Sequence, residues 1–371
     1  MITNRGVAYM QKEKKKVSLF AIISVCLFLV IGTVYLVTEK SYYFADLVNG
    51  SVSQAFRRFM ASIGGIFPFS LFEVLMYCLP LIIAAVVCCA VRAFSDKQRR
   101  ARFIINFAAV ILLIYSGHLL ALGIAHNTTP ISDKMEISEV EVTEENLAET
   151  LTSLIREINT LAPIVNRDQN GVFTCGYSYS EFSAKISESY NDFATMYDLP
   201  KGYNSTAKGV KSGWAMCYLG IAGIYTYVTG EANVNTAYPD YDTLFTAAHE
   251  MSHQRGILRE NEANFVAYIL LATSDDEGFR YSAALNMYSY FASALYKTNK
   301  DAYYEIAATL SPLAMVDIKT SSEITKKYSD TIFDDISEWI NDLYLESSGS
   351  GGIVSYSRVV ELVLAYRDTE R

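Results

Sequence analysis

Three apolar blocks, Val17–Thr38, Phe69–Val91 and Phe103–Ala125, constrain this chain more than any other feature of its sequence. Each is longer than the about 20 residues an α-helix needs to cross a bilayer. The first follows a basic start with Arg5, Lys12, Lys14, Lys15 and Lys16, as a signal peptide would. Its apolar run is too long for one, and no small-residue cleavage site follows, so an uncleaved anchor is expected. Basic residues in short flanks stay cytoplasmic. The N-terminus and the loop 92–102, with Arg92, Lys97, Arg99, Arg100 and Arg102, are both basic. Three crossings then put the chain from residue 126 onward on the extracytoplasmic side of the cell membrane. If the third block were instead a buried helix, that side would reverse.

The expected division is a membrane domain, residues 1–126, and a polar domain, residues 127–371. Within the first, Phe56-Arg57-Arg58-Phe59-Met60 suggests an interfacial helix. Glu73 is expected at the interface or partnered, and His118, whose place inside a span invites a functional reading, is expected to hydrogen-bond a neighbouring helix. Net charge is −9, and no basic stripe with interleaved aromatics follows the spans, which disfavours nucleic acid. Cys26, Cys78, Cys88 and Cys89 lie in apolar segments, whereas Cys175 and Cys217 are free to pair if their domain is extracytoplasmic. No Cys-x-x-Cys pattern supports a thiolate metal site.

The polar domain reads as mainly α with a small β-sheet. Leu147, Leu151, Leu154 and Ile158 give Thr143–Leu161 an apolar helical face. Ser178 with Glu181 is a capping box opening a helix that Leu199-Pro200 stops. Trp214–Val228 is rich in β-branched and aromatic residues, with Ile224–Val228 the best strand and Glu231–Asn235 a second. Further helices are expected over Asp275–Asn299, Asp301–Leu310, Ile324–Leu345 (Ile332, Ile336 and Ile340 in register) and Ile353–Arg367. A flexible Ser347–Gly352 precedes the last.

The chemistry is concentrated in His249-Glu250-Met251-Ser252-His253, an H-E-x-x-H pattern that takes two of only four histidines. On a helix, residues four apart share a face, so both imidazoles reach one metal. Imidazole nitrogens suit zinc, and Glu250 beside the first ligand suits a general base acting on a water. A third ligand must be a carboxylate, because the other histidines lie at the membrane. Gly256 permits a left-handed turn that swings the chain back, bringing Glu260 and Glu262 to the start of the next helix. Two residues apart, they face differently. Glu260 shares a face with Asn264 and Ala267, with small Ala263 alongside, and Asn264 can orient a ligand histidine. Glu262 sits with Phe265, Val266 and Ile269, as core. Glu260 is favoured and Glu262 is the alternative. An oxyanion donor is expected among Tyr225, Tyr227, Tyr356 and Arg358.

His249-Glu250-x-x-His253 followed by Glu260-Asn261-Glu262-Ala263-Asn264 resembles the gluzincin metallopeptidases, which pair H-E-x-x-H with a later glutamate and an Asp or Asn four residues beyond it. The resemblance implies a zincin-like α+β domain, one zinc ion, and an edge strand, here within Thr226–Asn235, that binds extended substrate. Six residues separate His253 from Glu260, fewer than most gluzincins have. The whole chain also resembles a bacterial membrane-protein family known as a domain of unknown function. Together these features lead to the expectation of a membrane-anchored zinc metalloprotease, with the lipid bilayer and a peptide or protein as its partners. The competing expectation is a catalytically silent zincin-like module for binding or sensing at the cell envelope; an intact Glu250 argues against it. A site inside a span is disfavoured by the polar flanks Asp240, Asp242, Arg255 and Arg259 and by the short apolar run Ala263–Ala272.

Overall fold

The computed structural model describes residues 18–203, 205–329 and 352–369, excepting the side chains of 352–357. The basic start, the triplet Ile332, Ile336 and Ile340, and the Ser347–Gly351 connection lie outside the described residues. The helices are α1 (Leu19–Thr38), α2 (Tyr42–Val48), α3 (Gln54–Gly65), α4 (Leu71–Phe94), α5 (Lys97–His118), α6 (Ile124–His126), α7 (Ile131–Lys134), α8 (Glu144–Leu161), α9 (Tyr179–Met196), α10 (Gly213–Cys217), α11 (Asp240–Gln254), α12 (Glu260–Ala272), α13 (Glu277–Thr298), α14 (Lys300–Ala307), α15 (Pro312–Tyr328) and α16 (Gly352–Thr369). One π-helical turn, Asn49–Ser53, joins α2 to α3, and another, Leu119–Gly123, joins α5 to α6. Among the described residues, three helices are long and apolar enough to cross a membrane: Leu19–Thr38, Leu71–Phe94 and the continuous run Lys97–His126. The protein is thus mainly helical, with one small sheet.

The expected basic loop 92–102 shrinks to a turn, because Asp96 Oδ1 accepts the Gln98 and Arg99 N–H groups at 2.9 and 2.8 Å and starts α5 early. The chain divides into two compact units. One holds the described residues of Met1–Thr33 with Pro80–Ser116, and the other Val34–Leu79 with Gly117–Arg371. The boundaries between these units fall inside the apolar helices, because the segments flanking them pack with the polar region. In the first unit Ser18 Oγ donates to Asn106 Oδ1 at 2.7 Å and the Phe28 and Tyr115 rings lie 6.0 Å apart. Most of its large apolar side chains face outward, Leu29 at 59% and Leu81 at 72% exposure.

The sheet of the second unit runs β1 (Lys208–Val210), β3 (Glu231–Asn235), β2 (Gly223–Thr226), with β1 parallel and β2 antiparallel to β3. β3 is central and buried along its length, so the edge strand nearest the histidine helix is β2 rather than the whole of Thr226–Asn235. Of the apolar stretch Trp214–Val228, Trp214–Cys217 is helical in α10. Gly230 (φ +69°) closes the β2–β3 turn where an added Cβ would stand 2.2 Å from the Met60 carbonyl carbon of α3. No side chain fits there.

The start of α4 is fastened to this sheet. Buried Glu231 accepts the Leu71 and Phe72 N–H groups, each at 3.0 Å, capping a helix whose first amides have no partner of their own. Ser70 Oγ donates to Asn233 Oδ1 at 2.7 Å. Glu73 is partnered, accepting the Ser212 N–H at 2.8 Å and its hydroxyl at 2.7 Å. The expected interfacial helix exists as α3, but Arg57 on it is fully buried. Its guanidinium donates to Asn49 Oδ1 (2.8 Å), the Ala121 carbonyl (3.0 Å) and the Tyr203 hydroxyl (3.3 Å). The main core lies among α8, α9, α11, α12, α13 and α16, with Leu151, Phe265, Leu285 and Val363 fully buried. Cys175 and Cys217 are free thiols; Cys217 Sγ accepts from Asn235 Nδ2 at 3.2 Å instead of pairing.

Candidate metal centre

Helix α11 begins after Pro239, with Asp240 and Asp242 in a first turn where carboxylates oppose the helix dipole. Its helical spacing stacks His249 over His253, ring centroids 4.5 Å apart and nearly perpendicular. At its end Gly256 adopts φ +92°, a conformation a β-carbon disfavours. The Gly256 N–H returns to the His253 carbonyl at 3.0 Å, and the Ile257 N–H to the Ser252 carbonyl at 3.1 Å. This pair of bonds is a Schellman turn. It brings the Ile257 carbonyl to His253 Nδ1 at 2.7 Å, so Nδ1 carries the proton and Nε2 faces away. Asn264 is not among the partners of His253; the backbone takes the orienting role expected of that side chain.

The turn also sets the start of α12. Glu260 Oε2 lies 3.2 Å from His249 Nε2 and Oε1 lies 3.2 Å from His253 Nε2. One ligand atom from each of the three residues lies within 4.8 Å of the other two. Ala263 and Ala267 are fully buried, leaving room for α12 to approach α11 closely. Glu262 points elsewhere, with Oε1 accepting Arg259 Nη1 at 2.9 Å and the Ile131 N–H at 3.1 Å. Arg259 also reaches the carbonyls of His126 (3.0 Å) and Thr128 (2.6 Å), so the chain leaving the third span grips the residue before Glu260.

Two nitrogens and a carboxylate fit a metal on three grounds. Donors about 2.0–2.1 Å from a tetrahedral zinc stand about 3.3 Å apart, close to the two observed separations. His253 Nε2 is buried and, although 3.2 Å from Glu260, has no hydrogen bond of acceptable direction. In the protein alone, burial lowers the affinity of His253 for a proton, but the Glu260 charge overrides it and pushes the pKa to about 9. Burial would raise Glu260, yet the His253 charge and a hydrogen bond from His249 hold it well below the usual carboxylate range. A site that stabilises one positive charge on its imidazoles is electrostatically suited to a cation.

Glu250, 5% exposed, is not part of this cluster and lies beside it. Burial raises its pKa, partly offset by the charges on His249 and His253 and by the nearby Tyr225 backbone amide of β2. A Cβ on Gly223 would stand 2.7 Å from Glu250 Oε1 and 2.4 Å from Thr246 Cγ2, so glycine lets the edge strand lie directly on the helix. Of the expected oxyanion donors, Tyr225 meets the site through its backbone, while its hydroxyl is buried toward Arg57 and Tyr203. Tyr227 packs its ring on His118, centroids 6.0 Å apart. Arg358 is exposed on α16, and the Tyr356 side chain lies outside the described residues. The Ile257 carbonyl and the Tyr225 amide escaped the sequence reading because backbone groups carry no residue-type signal; only Gly256 hinted at the first.

Glu260→Ala is expected to remove measurable zinc binding, whereas Glu262→Ala keeps zinc and loses about 3 kcal/mol of stability by stranding Arg259. Zinc titration with thermal melts of both variants checks this, and zinc loss confined to Glu262→Ala would reverse the assignment.

Comparison with curated proteins and with solved structures yields no match. The family model described as protein of unknown function (DUF3810) matches residues 50–364, most of the chain, and the protein belongs to that family.

Proposed function

We propose that this protein is a membrane-anchored, zinc-dependent peptidase of the gluzincin kind, with a zincin-like domain facing the extracytoplasmic side. The observation that carries the reading is the convergence of His249 Nε2, His253 Nε2 and the Glu260 carboxylate from two helices, with buried Glu250 alongside. His249, His253 and Glu260 would hold the ion. When bound, zinc supplies Lewis-acid polarisation of a water and of the substrate carbonyl. Glu250 accepts a proton from the attacking water, and its raised pKa brings it nearer the operating pH, where a general base is most effective. The Ile257 carbonyl fixes the His253 ring so that only Nε2 serves as donor. The edge of β2 offers main-chain groups to an extended peptide, and Gly223 lets that strand lie close to Glu250.

Elemental analysis of the full-length protein in detergent should find about one zinc per chain, with His249→Ala and His253→Ala each abolishing it. Full occupancy in either variant would sink the site. Side is tested separately: a reporter fused after residue 130 should be active only outside the cytoplasm, and cytoplasmic activity would reverse the localisation.

A further inference from the structure

Beside the catalytic carboxylate, the backbone of β2 leads to the third span. Gly223 abuts Glu250, and beyond the strand's last residue, Thr226, the Tyr227 ring lies on His118 and 3.2 Å from the Cβ position of Gly117. Both are in the C-terminal third of the apolar run Lys97–His126, the end from which the chain passes to the polar region. Four residues of strand, about 13 Å, separate Tyr227 from Gly223, which abuts Glu250.

The side chains around this end of the strand suit a lipid boundary. Phe59 is 62% exposed, Ile66 74%, Phe69 47% and Val228 50%, all in the unit that contains the sheet. On α3 Arg57 is buried, whereas Arg58 and Phe59 are exposed. The Thr229–Gly230 turn is packed onto Met60 and Ala61, and Glu231 caps the start of α4. Irregular backbone at membrane depth persists only where protein covers it, as here.

We infer that the substrates are membrane-spanning proteins, cut in the extended stretch where their chain leaves the bilayer. The inference rests on the peptidase reading and adds the substrate class. A chain lying along β2 enters from the lipid boundary at Tyr227 and reaches Glu250 within four residues. Hydrolysis there forms the C–O bond to water and breaks the amide C–N bond. One water proton passes through Glu250 to the departing amine. The continuity of β2 with the third span selects an anchored chain over a free peptide, which would gain nothing from an entrance at lipid depth.

The test uses the full chain reconstituted in vesicles. Random ten-residue segments are attached to a single apolar helix, either directly or through a Gly/Ser spacer of about thirty residues. Direct fusions should be cut at least about tenfold faster, at bonds close to the helix end. Equal or faster cutting of the spacer set overturns the inference and leaves the peptidase reading standing. Cutting of neither set, nor of the unanchored segments, overturns both. Independently of turnover, a fluorescent amino acid at Val228 should be quenched by nitroxide lipids labelled near the headgroup. An unquenched signal overturns the placement.

Discussion

Glu250→Gln is expected to keep zinc and to lose hydrolysis by about 10²–10⁴-fold, the usual contribution of a positioned general base. The substitution is nearly isosteric, which matters because Gly223 and Thr246 leave no spare volume around the carboxylate. None of the atoms within the 4.8 Å ligand cluster belongs to residue 250, so metal affinity should be nearly unchanged. The comparison needs zinc content and kcat measured on the same preparation. Hydrolysis within threefold of the unaltered protein would remove Glu250 from the chemistry. Loss of zinc together with activity would mean that the residue supports the site rather than acting in it. An unaltered protein that holds zinc and cleaves nothing would favour the silent binding module.

How far the sequence discloses this protein depends on whether each feature is local. The spans are local: an uninterrupted apolar run of the right length needs no knowledge of its neighbours. So are the helices built on capping boxes, where Thr143 and Ser178 each meet a partner three residues on. The candidate site is nearly local as well, since His249, His253, Gly256 and Glu260 fall within one turn-linked helix pair and the left-handed glycine dictates its geometry. What escaped was decided at a distance. β1 is only three residues long and exists because β3 pairs with it. Trp214–Cys217 has strand-like composition but follows Ser212, which Glu73 holds from the start of a span. Arg57 sits in a basic, aromatic run that resembles a membrane-surface helix, and nothing nearby announces that Asn49, Ala121 and Tyr203 will bury it. Composition changes sharply at residue 126, whereas packing does not.

That last difference has a large consequence for any fragment beginning at residue 127. Such a fragment keeps all three candidate ligands but is expected to lose the site. Removing residues 34–79 takes away Arg57, whose Nη2 lies 2.5 Å from the position a Gly256 Cβ would occupy and which therefore backs the turn beside His253. It also strips Glu231 of the Leu71 and Phe72 amides and uncovers the face of the sheet on which α3 and the start of α4 pack. Arg259 loses the His126 carbonyl and keeps only Thr128 and Glu262. A domain is held by about 5–15 kcal/mol, so these losses suffice to unfold it or to loosen the 255–260 turn. Within the full chain, Arg57→Ala isolates one of these effects and should weaken zinc binding about 10–100-fold, as removal of a group supporting a ligand does. Thermal melts and zinc titrations of the fragment, the Arg57→Ala protein and the unaltered full chain make the comparison. If the fragment melts and binds zinc like the full chain, α2, α3 and the start of α4 are dispensable to the site. The expected outcome is the reverse: α3 and the exits of the spans belong to the metal centre as structurally as the histidine helix does.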